Sequence, residues 1–196
     1  EVGRHIAREA GERLAHVSLE LGGKNPSIVF PGAVTDELIE GLLLSSRVHR
    51  QGQSCTAGSR LFLHRDVHDE VLERLVARMG QLVVGNPLDE ASDIGAVINE
   101  VQFRSVKGFL EEGLANPGLT VELGGLPPET GALAEGFFHV PTIFSGADNT
   151  FRLSREEIFG PVVMAIPFTD TDEVVRMAND SAYGLAAYVW SQDVNQ

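Results

Sequence analysis

Cysteine is almost missing from this chain: Cys55 is the single one in 196 residues. One thiol can form neither an internal disulfide nor a multi-cysteine zinc site, and it suits a reducing compartment, so a cytoplasmic location is expected. Basic residues are scarce too. The 15 Lys and Arg stand against 28 Asp and Glu, a formal net charge of −13. That balance argues against a nucleic-acid partner, which needs a clustered cationic surface. No apolar run approaches the roughly 18–20 residues that cross a bilayer, and residues 1–14 hold no signal-peptide hydrophobic stretch, so no membrane role is expected. Internal repeats and low-complexity tracts are absent. What the chain does have is apolar mass: 43% hydrophobic residues, enough for one large core or two modest ones. It opens without an initiator Met and stops where a new helix is due, which reads as part of a longer protein.

Periodicity gives the elements. Ile6, Ala7, Ala10 and Leu14 recur at helical spacing with charges at Arg4, Arg8, Glu9 and Arg13, predicting a surface helix. Residues 17–21 alternate strictly, with Val17, Leu19 and Leu21 on one side, predicting a strand that Gly22 and Gly23 end. A second strand is predicted at 27–30 and a helix from Thr35. Another strand covers 60–64, and Asp66 is a candidate cap for a helix whose core stripe runs from Val67 to Val83. A loop at 85–99 leads to a helix capped by Asn99. Strands are predicted at 119–123, 140–144, 162–168 and 185–190, with a helix at 171–179 and a surface excursion at 124–136. Strands alternating with helices of this length imply an α/β fold with a mostly parallel sheet flanked by helices.

Few residues offer chemistry. Cys55 sits in Gln51-Gly52-Gln53-Ser54-Cys55-Thr56-Ala57-Gly58-Ser59, a small and polar stretch with no large apolar side chain. A core cysteine has hydrophobic neighbours, so this setting favours a reactive thiol; an inert loop cysteine is the alternative. Glu20 is the one charge in its apolar stretch, either a desolvated general base or a carboxylate on a wet strand face. Glu156-Glu157-Ile158-Phe159-Gly160-Pro161 sets carboxylates beside an aromatic, able to hold ribose hydroxyls and a flat heterocycle or else to form a solvated acidic turn with a core Phe. Arg47, His49 and Arg50 precede the thiol and fit either an anionic substrate or a solvated helix end. Neither G-x-S-x-G, G-x-G-x-x-G nor a Walker-type loop occurs, and His64 and His68 would not share a helical face, so no metal is expected.

Three motifs in order, Leu19-Glu20-Leu21-Gly22-Gly23-Lys24-Asn25-Pro26, Gly52-Gln53-Ser54-Cys55 and Glu156-Glu157-Ile158-Phe159-Gly160-Pro161, resemble the aldehyde dehydrogenase superfamily. Val84-Gly85-Asn86-Pro87, residues 136–142 and Ser181-Ala182-Tyr183-Gly184-Leu185 extend the likeness over the whole chain. The resemblance implies that Cys55 is the nucleophile that attacks an aldehyde, and that Glu20 is the base that activates water to hydrolyse the thioester. It implies NAD or NADP as cofactor, with Glu157 on the nicotinamide ribose and Phe159 bordering the nicotinamide. Leu21 and Gly22 would contribute nearby backbone, and Gln102 a weaker ribose contact. Glu20 favours release of a free acid over transfer to coenzyme A. By the same resemblance, residues 1–22 correspond to the last helix and strand of a dinucleotide-binding domain and 23–196 to a catalytic domain short at its C-terminus. Family members are longer and carry the rest of the dinucleotide-binding domain, so this stretch alone is expected to be inactive; the resemblance also implies a full-length homo-oligomer acting on a small-molecule aldehyde. A thiol-dependent esterase or acyl transferase, and a non-catalytic assembly module, remain as other readings. Neither the aldehyde nor the choice between NAD and NADP is written in these residues.

Overall fold

A computed structural model describes residues 1–146 and 148–193. Helix α1 (Val2–Glu12) opens the chain, followed by β1 (Pro26–Val29), α2 (Asp36–Ser46), β2 (Arg60–His64), α3 (His68–Met79) and α4 (Glu100–Ala115). Then come β3 (Thr120–Leu123), β4 (Thr142–Ser145), the one-turn α5 (Arg152–Arg155), β5 (Val162–Phe168), α6 (Thr171–Asn179) and β6 (Tyr188–Trp190). The strands form one sheet in the order β3-β4-β5-β2-β1-β6. All neighbours run parallel except β3 and β4, which are antiparallel. The α/β fold with a mostly parallel, helix-flanked sheet is therefore the architecture found.

Both faces of the central strands are covered, which is why those strands read as unbroken apolar runs. Leu61 and Leu63 of β2 join α2 and α3 in one core with Leu42, Leu43, Val71 and Leu75. Phe62 between them points the other way, into a second core with Phe109 and Leu110 of α4 and Val174 of α6. Helix starts follow their caps. Thr35 Oγ1 accepts the Leu38 amide at 3.2 Å, Asn99 Oδ1 that of Gln102 at 2.9 Å and Asp170 Oδ1 that of Glu173 at 2.8 Å. Each satisfies an otherwise orphaned N–H of the first turn.

Several boundaries differ from the sequence reading. Helix α1 ends at Glu12 and leaves Leu14 exposed, and α3 ends at Met79, short of the stripe predicted to Val83. The strand predicted at 17–21 does not form: among the described residues, backbone amides 16–22 meet no acceptor, and Val17 and Leu21 are exposed. Alternation prepares a strand, but only a paired neighbour completes one. Helix α3 starts at His68 rather than after Asp66, because the Asp66 N–H turns back to His64 Nδ1 at 3.2 Å. Strand β4 starts at Thr142, Pro141 having no N–H to give a ladder. Strand β6 starts at Tyr188, since the Ala186 N–H is taken by the Asn25 side chain at 3.0 Å.

The parallel arrangement fixes where chemistry can gather. Asn25 precedes β1, Cys55 to Ser59 precede β2, Gly160 and Pro161 precede β5 and Ala186 precedes β6. These segments therefore meet at the amino-terminal rim of one sheet.

Candidate active site

Cys55 lies at that rim, half-buried and with a free thiol. Its loop follows α2 through two left-handed residues, Arg47 and Gln51, and a left-handed Gly52 with φ +66°. Glycine is required there on two counts. The φ is one that side chains resist, and a Cβ would sit 1.9 Å from the Gly160 carbonyl oxygen. The thiol loop and the turn ahead of β5 thus touch backbone to backbone. The three carbonyls of Cys55, Thr56 and Ala57 are all held. Asn25 Nδ2 donates to Cys55 O at 2.7 Å and to Ala57 O at 3.0 Å, and the Tyr188 hydroxyl donates to Thr56 O at 2.9 Å. The Cys55 N–H, by contrast, donates to nothing among the described residues.

Glu157 comes to the same rim from the β5 side. Its Oε1 accepts the Gly23 N–H at 3.0 Å, while Oε2 faces Gly22, where a Cβ would stand 2.1 Å away. The carboxylate is thereby oriented by backbone, with one oxygen left as an acceptor, which suits a pair of sugar hydroxyls. Phe159 follows in a left-handed conformation, φ 55°, with its ring partly exposed. Gln102 Nε2 pins that turn by donating to Ile158 O at 3.0 Å and Phe159 O at 2.9 Å. Gly23, Gly52, Ser54, Glu157 and Phe159 line one narrow cleft. Cys55, Gly22, Glu157, Phe159 and Gln102 are therefore brought together.

Glu20 and Leu21 are not drawn in. Both are exposed in the unpaired stretch ahead of Gly22, and Glu20 makes no hydrogen bond or ion pair among the described residues. The desolvation expected of a base on a buried strand is not found in this chain, because that strand is not formed. Of the cations ahead of the thiol, Arg47 has a local partner, donating to the Tyr188 hydroxyl at 3.3 Å. His64 and His68 turn to separate acceptors, Thr169 O and Asp69 Oδ1. No cluster of three His, Cys, Asp or Glu able to hold a metal occurs among the described residues.

Sequence reasoning passed over two buried cations. Lys24 is 1% exposed, and its Nζ has no hydrogen-bond partner. Burial, reinforced by the neighbouring Arg60 charge and opposed by Glu157 and Glu156, lowers its pKa to about 7. Arg60, 2% exposed, donates to Lys24 O, Asn149 Oδ1, Met177 O and Ala178 O at 2.8–3.2 Å. Burial and the charge of Arg155, against the attraction of Asp180, bring its pKa down to about 10. The signal available in sequence was a polar trio, Lys24, Asn25 and Ser27, interrupting an apolar run around Pro26 and Ile28.

The sequence profile of the aldehyde dehydrogenase family matches residues 1–196. The chain belongs to that family. Among curated aldehyde dehydrogenases, the betaine aldehyde dehydrogenase of Brucella ovis is 41% identical over 194 residues, covering 99% of this chain and 39% of that protein. The aldehyde dehydrogenase of Bacillus cereus, solved as an NAD+ complex, superposes with a TM-score of 0.89 at 38% identity, covering 99% of this chain and 38% of that one. A betaine aldehyde dehydrogenase from Staphylococcus aureus, also with NAD+, gives a TM-score of 0.90 at 34% identity over the same shares. The chain thus spans about two fifths of the length of the aldehyde dehydrogenases it matches. No helix among the described residues is long and apolar enough to cross a membrane.

Proposed function

We propose that this chain is the nucleophile-bearing part of a cytoplasmic, homo-oligomeric aldehyde dehydrogenase that uses NAD or NADP to oxidise a small-molecule aldehyde to a carboxylic acid. The observation that carries it is the junction of Gly52 with Gly160, which sets the one thiol loop beside the turn bearing Glu157 and Phe159. In this reading residues 1–22 close a dinucleotide-binding domain and 23–196 belong to the catalytic domain.

The chemistry follows from the side chains. Cys55 Sγ, as thiolate, attacks the aldehyde carbon, and the unpaired Cys55 N–H is available to the oxygen that gains charge. The product is a thiohemiacetal on Cys55. Loss of hydride from that carbon leaves a thioester. Glu20 then takes a proton from water as its oxygen attacks the thioester carbon, expelling the thiolate and forming the acid. A nicotinamide dinucleotide, when bound, supplies the hydride acceptor. The residues fit it: Glu157 offers a backbone-oriented carboxylate to its ribose, Phe159 an exposed ring to its nicotinamide, and Gly22 a surface without a side chain. Leu21 would add backbone beside it, and Gln102 acts by holding the Phe159 turn. Glu20 must be drawn to the thiol from its exposed position, which gives the segment ahead of Gly22 a task in catalysis.

The test is made on a full-length enzyme carrying this sequence, with a panel of aldehydes that includes betaine aldehyde, since relatives about two fifths identical bear that name. Cys55→Ala is expected to abolish aldehyde-dependent formation of NADH or NADPH. Unchanged turnover refutes the nucleophile. Glu20→Gln should build up an acylated enzyme in rapid-quench mass spectra, and normal turnover without it removes Glu20 from this role. The present chain alone should reduce neither cofactor; NADH or NADPH formed by it would overturn that expectation.

A further inference from the structure

Three successive peptide carbonyls, those of Cys55, Thr56 and Ala57, are captured by only two side chains. Both lie at the same rim of the sheet and remote from the loop in sequence: Asn25 just ahead of β1, the neighbour of β2, and Tyr188 at the start of β6, one strand further out. Asn25 is 2% exposed, and all of its polar capacity converges on this place. Its Nδ2 bridges Cys55 O and Ala57 O, and its Oδ1 accepts the Ala186 N–H at 3.0 Å, which also settles which atom of the amide is nitrogen. Tyr188 is itself held, its hydroxyl accepting from Arg47 at 3.3 Å while donating to Thr56 O at 2.9 Å. On the remaining side Gly23 leans on the same peptide, where a Cβ would come 2.4 Å from Cys55 O. Past the loop, the Gly58 N–H donates to Ser45 O at 2.8 Å and anchors its exit. A turn free to relax would need none of this. Holding these carbonyls fixes the peptide plane after the Cys55 Cα and the two that follow, while the plane before it is held within the turn, where Ser54 O accepts the Ala57 N–H at 3.1 Å; with both planes set, so is the origin of the Cα–Cβ–Sγ arm.

We infer that Asn25 and Tyr188 are positioning residues that clamp the peptides of Cys55, Thr56 and Ala57 and thereby aim the Cys55 sulfur. This inference rests on Cys55 as the nucleophile. Neither residue touches the reacting atoms; each acts through the backbone of the loop. A misplacement of about 1 Å in a reacting atom is enough to slow a reaction about 100-fold, so the clamp is a determinant of rate and not of affinity. Tyr188 makes one of the three bonds and Asn25 two, so the asparagine is the stronger partner.

The experiment compares wild type, Asn25→Asp, Asn25→Ala and Tyr188→Phe in a full-length enzyme carrying this sequence. Asn25→Asp keeps shape and the acceptor for Ala186 while removing the donor to both carbonyls; Tyr188→Phe keeps the ring and removes one hydroxyl. Folded fraction is read by circular dichroism and thermal melting, and rates are expressed per folded molecule. The expected result is a fall in kcat of about 30- to 100-fold for both Asn25 variants and about 3- to 10-fold for Tyr188→Phe, with KM for the aldehyde within about threefold of wild type. A kcat per folded molecule within threefold of wild type for Asn25→Asp and Tyr188→Phe overturns the clamp, as does a rise in KM that accounts for the whole loss. If the Asn25 variants do not fold, Tyr188→Phe decides alone by the same criterion. Failure of the underlying reading is recognised separately, because wild type then oxidises no aldehyde. In that case the clamp is judged on iodoacetamide alkylation of Cys55, the single thiol of the chain here, read by peptide mass spectrometry. A changed alkylation rate in folded Tyr188→Phe supports it, and a wild-type rate overturns it.

Discussion

At the scale of single residues, the surprise is that two cationic side chains, Lys24 and Arg60, are buried in the fold. Lysine is seldom fully buried unless paired, yet Lys24 is sealed without a hydrogen-bond partner. The low pKa that results has a thermodynamic sign. Between about pH 7 and the ordinary lysine value of 10.5, the unfolded chain holds a proton that the folded chain has released, so this group makes stability climb as pH rises through that window. Lys24→Met removes the cost of burying the charge. The variant is expected to be more stable than wild type at about pH 6, with an advantage that shrinks steadily by about pH 10; urea denaturation at a series of pH values reads it, and a constant or growing advantage contradicts it. Residue identities told part of this story in advance. Cys55 announced itself by a polar, glycine-rich setting, and Glu157 and Phe159 by their place ahead of a Gly-Pro turn. Asn25 did not, because its partners Cys55 and Ala186 lie 30 and 161 residues away and no local pattern encodes them.

At the scale of elements, helices were legible from their apolar stripes and, at Asn99, from the cap as well; the structure adds Thr35 and Asp170 as caps of the helices read from their stripes alone. The failures occurred where a boundary depends on tertiary bonding: the absent strand at 17–21, the late start of β6 and the turn that displaces the Asp66 cap. Contacts between loops were invisible for the same reason. Gly52 looked like one small residue among several, but it is the point at which the thiol loop and the β5 approach meet. Gly52→Ala brings a left-handed penalty of about 1–2 kcal/mol before any clash is counted. The clash is with the Gly160 carbonyl, a backbone atom that no rotamer can move aside. A loss of stability larger than that penalty is expected, seen as a lower urea midpoint with an unchanged slope. A midpoint within error of wild type would mean that the two loops can part freely.

At the scale of the whole molecule, the double-faced sheet was predictable from its long apolar strands, whereas the rim that carries the site was not. The interior is uneven in its protection. Strands β1, β2 and β5 are paired on both sides and buried on both faces, while amides 16–22 meet no acceptor among the described residues. Hydrogen exchange on this chain should therefore show residues 16–22 exchanging at nearly unfolded rates and β2 exchanging last. Strong protection across 16–22 would show that the segment pairs in solution after all. The same contrast bears on Glu20, whose catalytic service in the proposed reaction depends on a stretch that the sheet does not hold.

The amino-terminal gathering of these segments leaves the opposite margin of the sheet with little chemical duty. The chain leaves β2 through Arg65 and Asp66, both exposed, and leaves β5 through Thr169 and Asp170, far along each strand from the thiol loop. Foreign sequence spliced between Arg65 and Asp66 would lengthen an outer bend without disturbing the grip on the sulfur. One margin of this scaffold is constrained by reaction geometry, and the other is open to grafting.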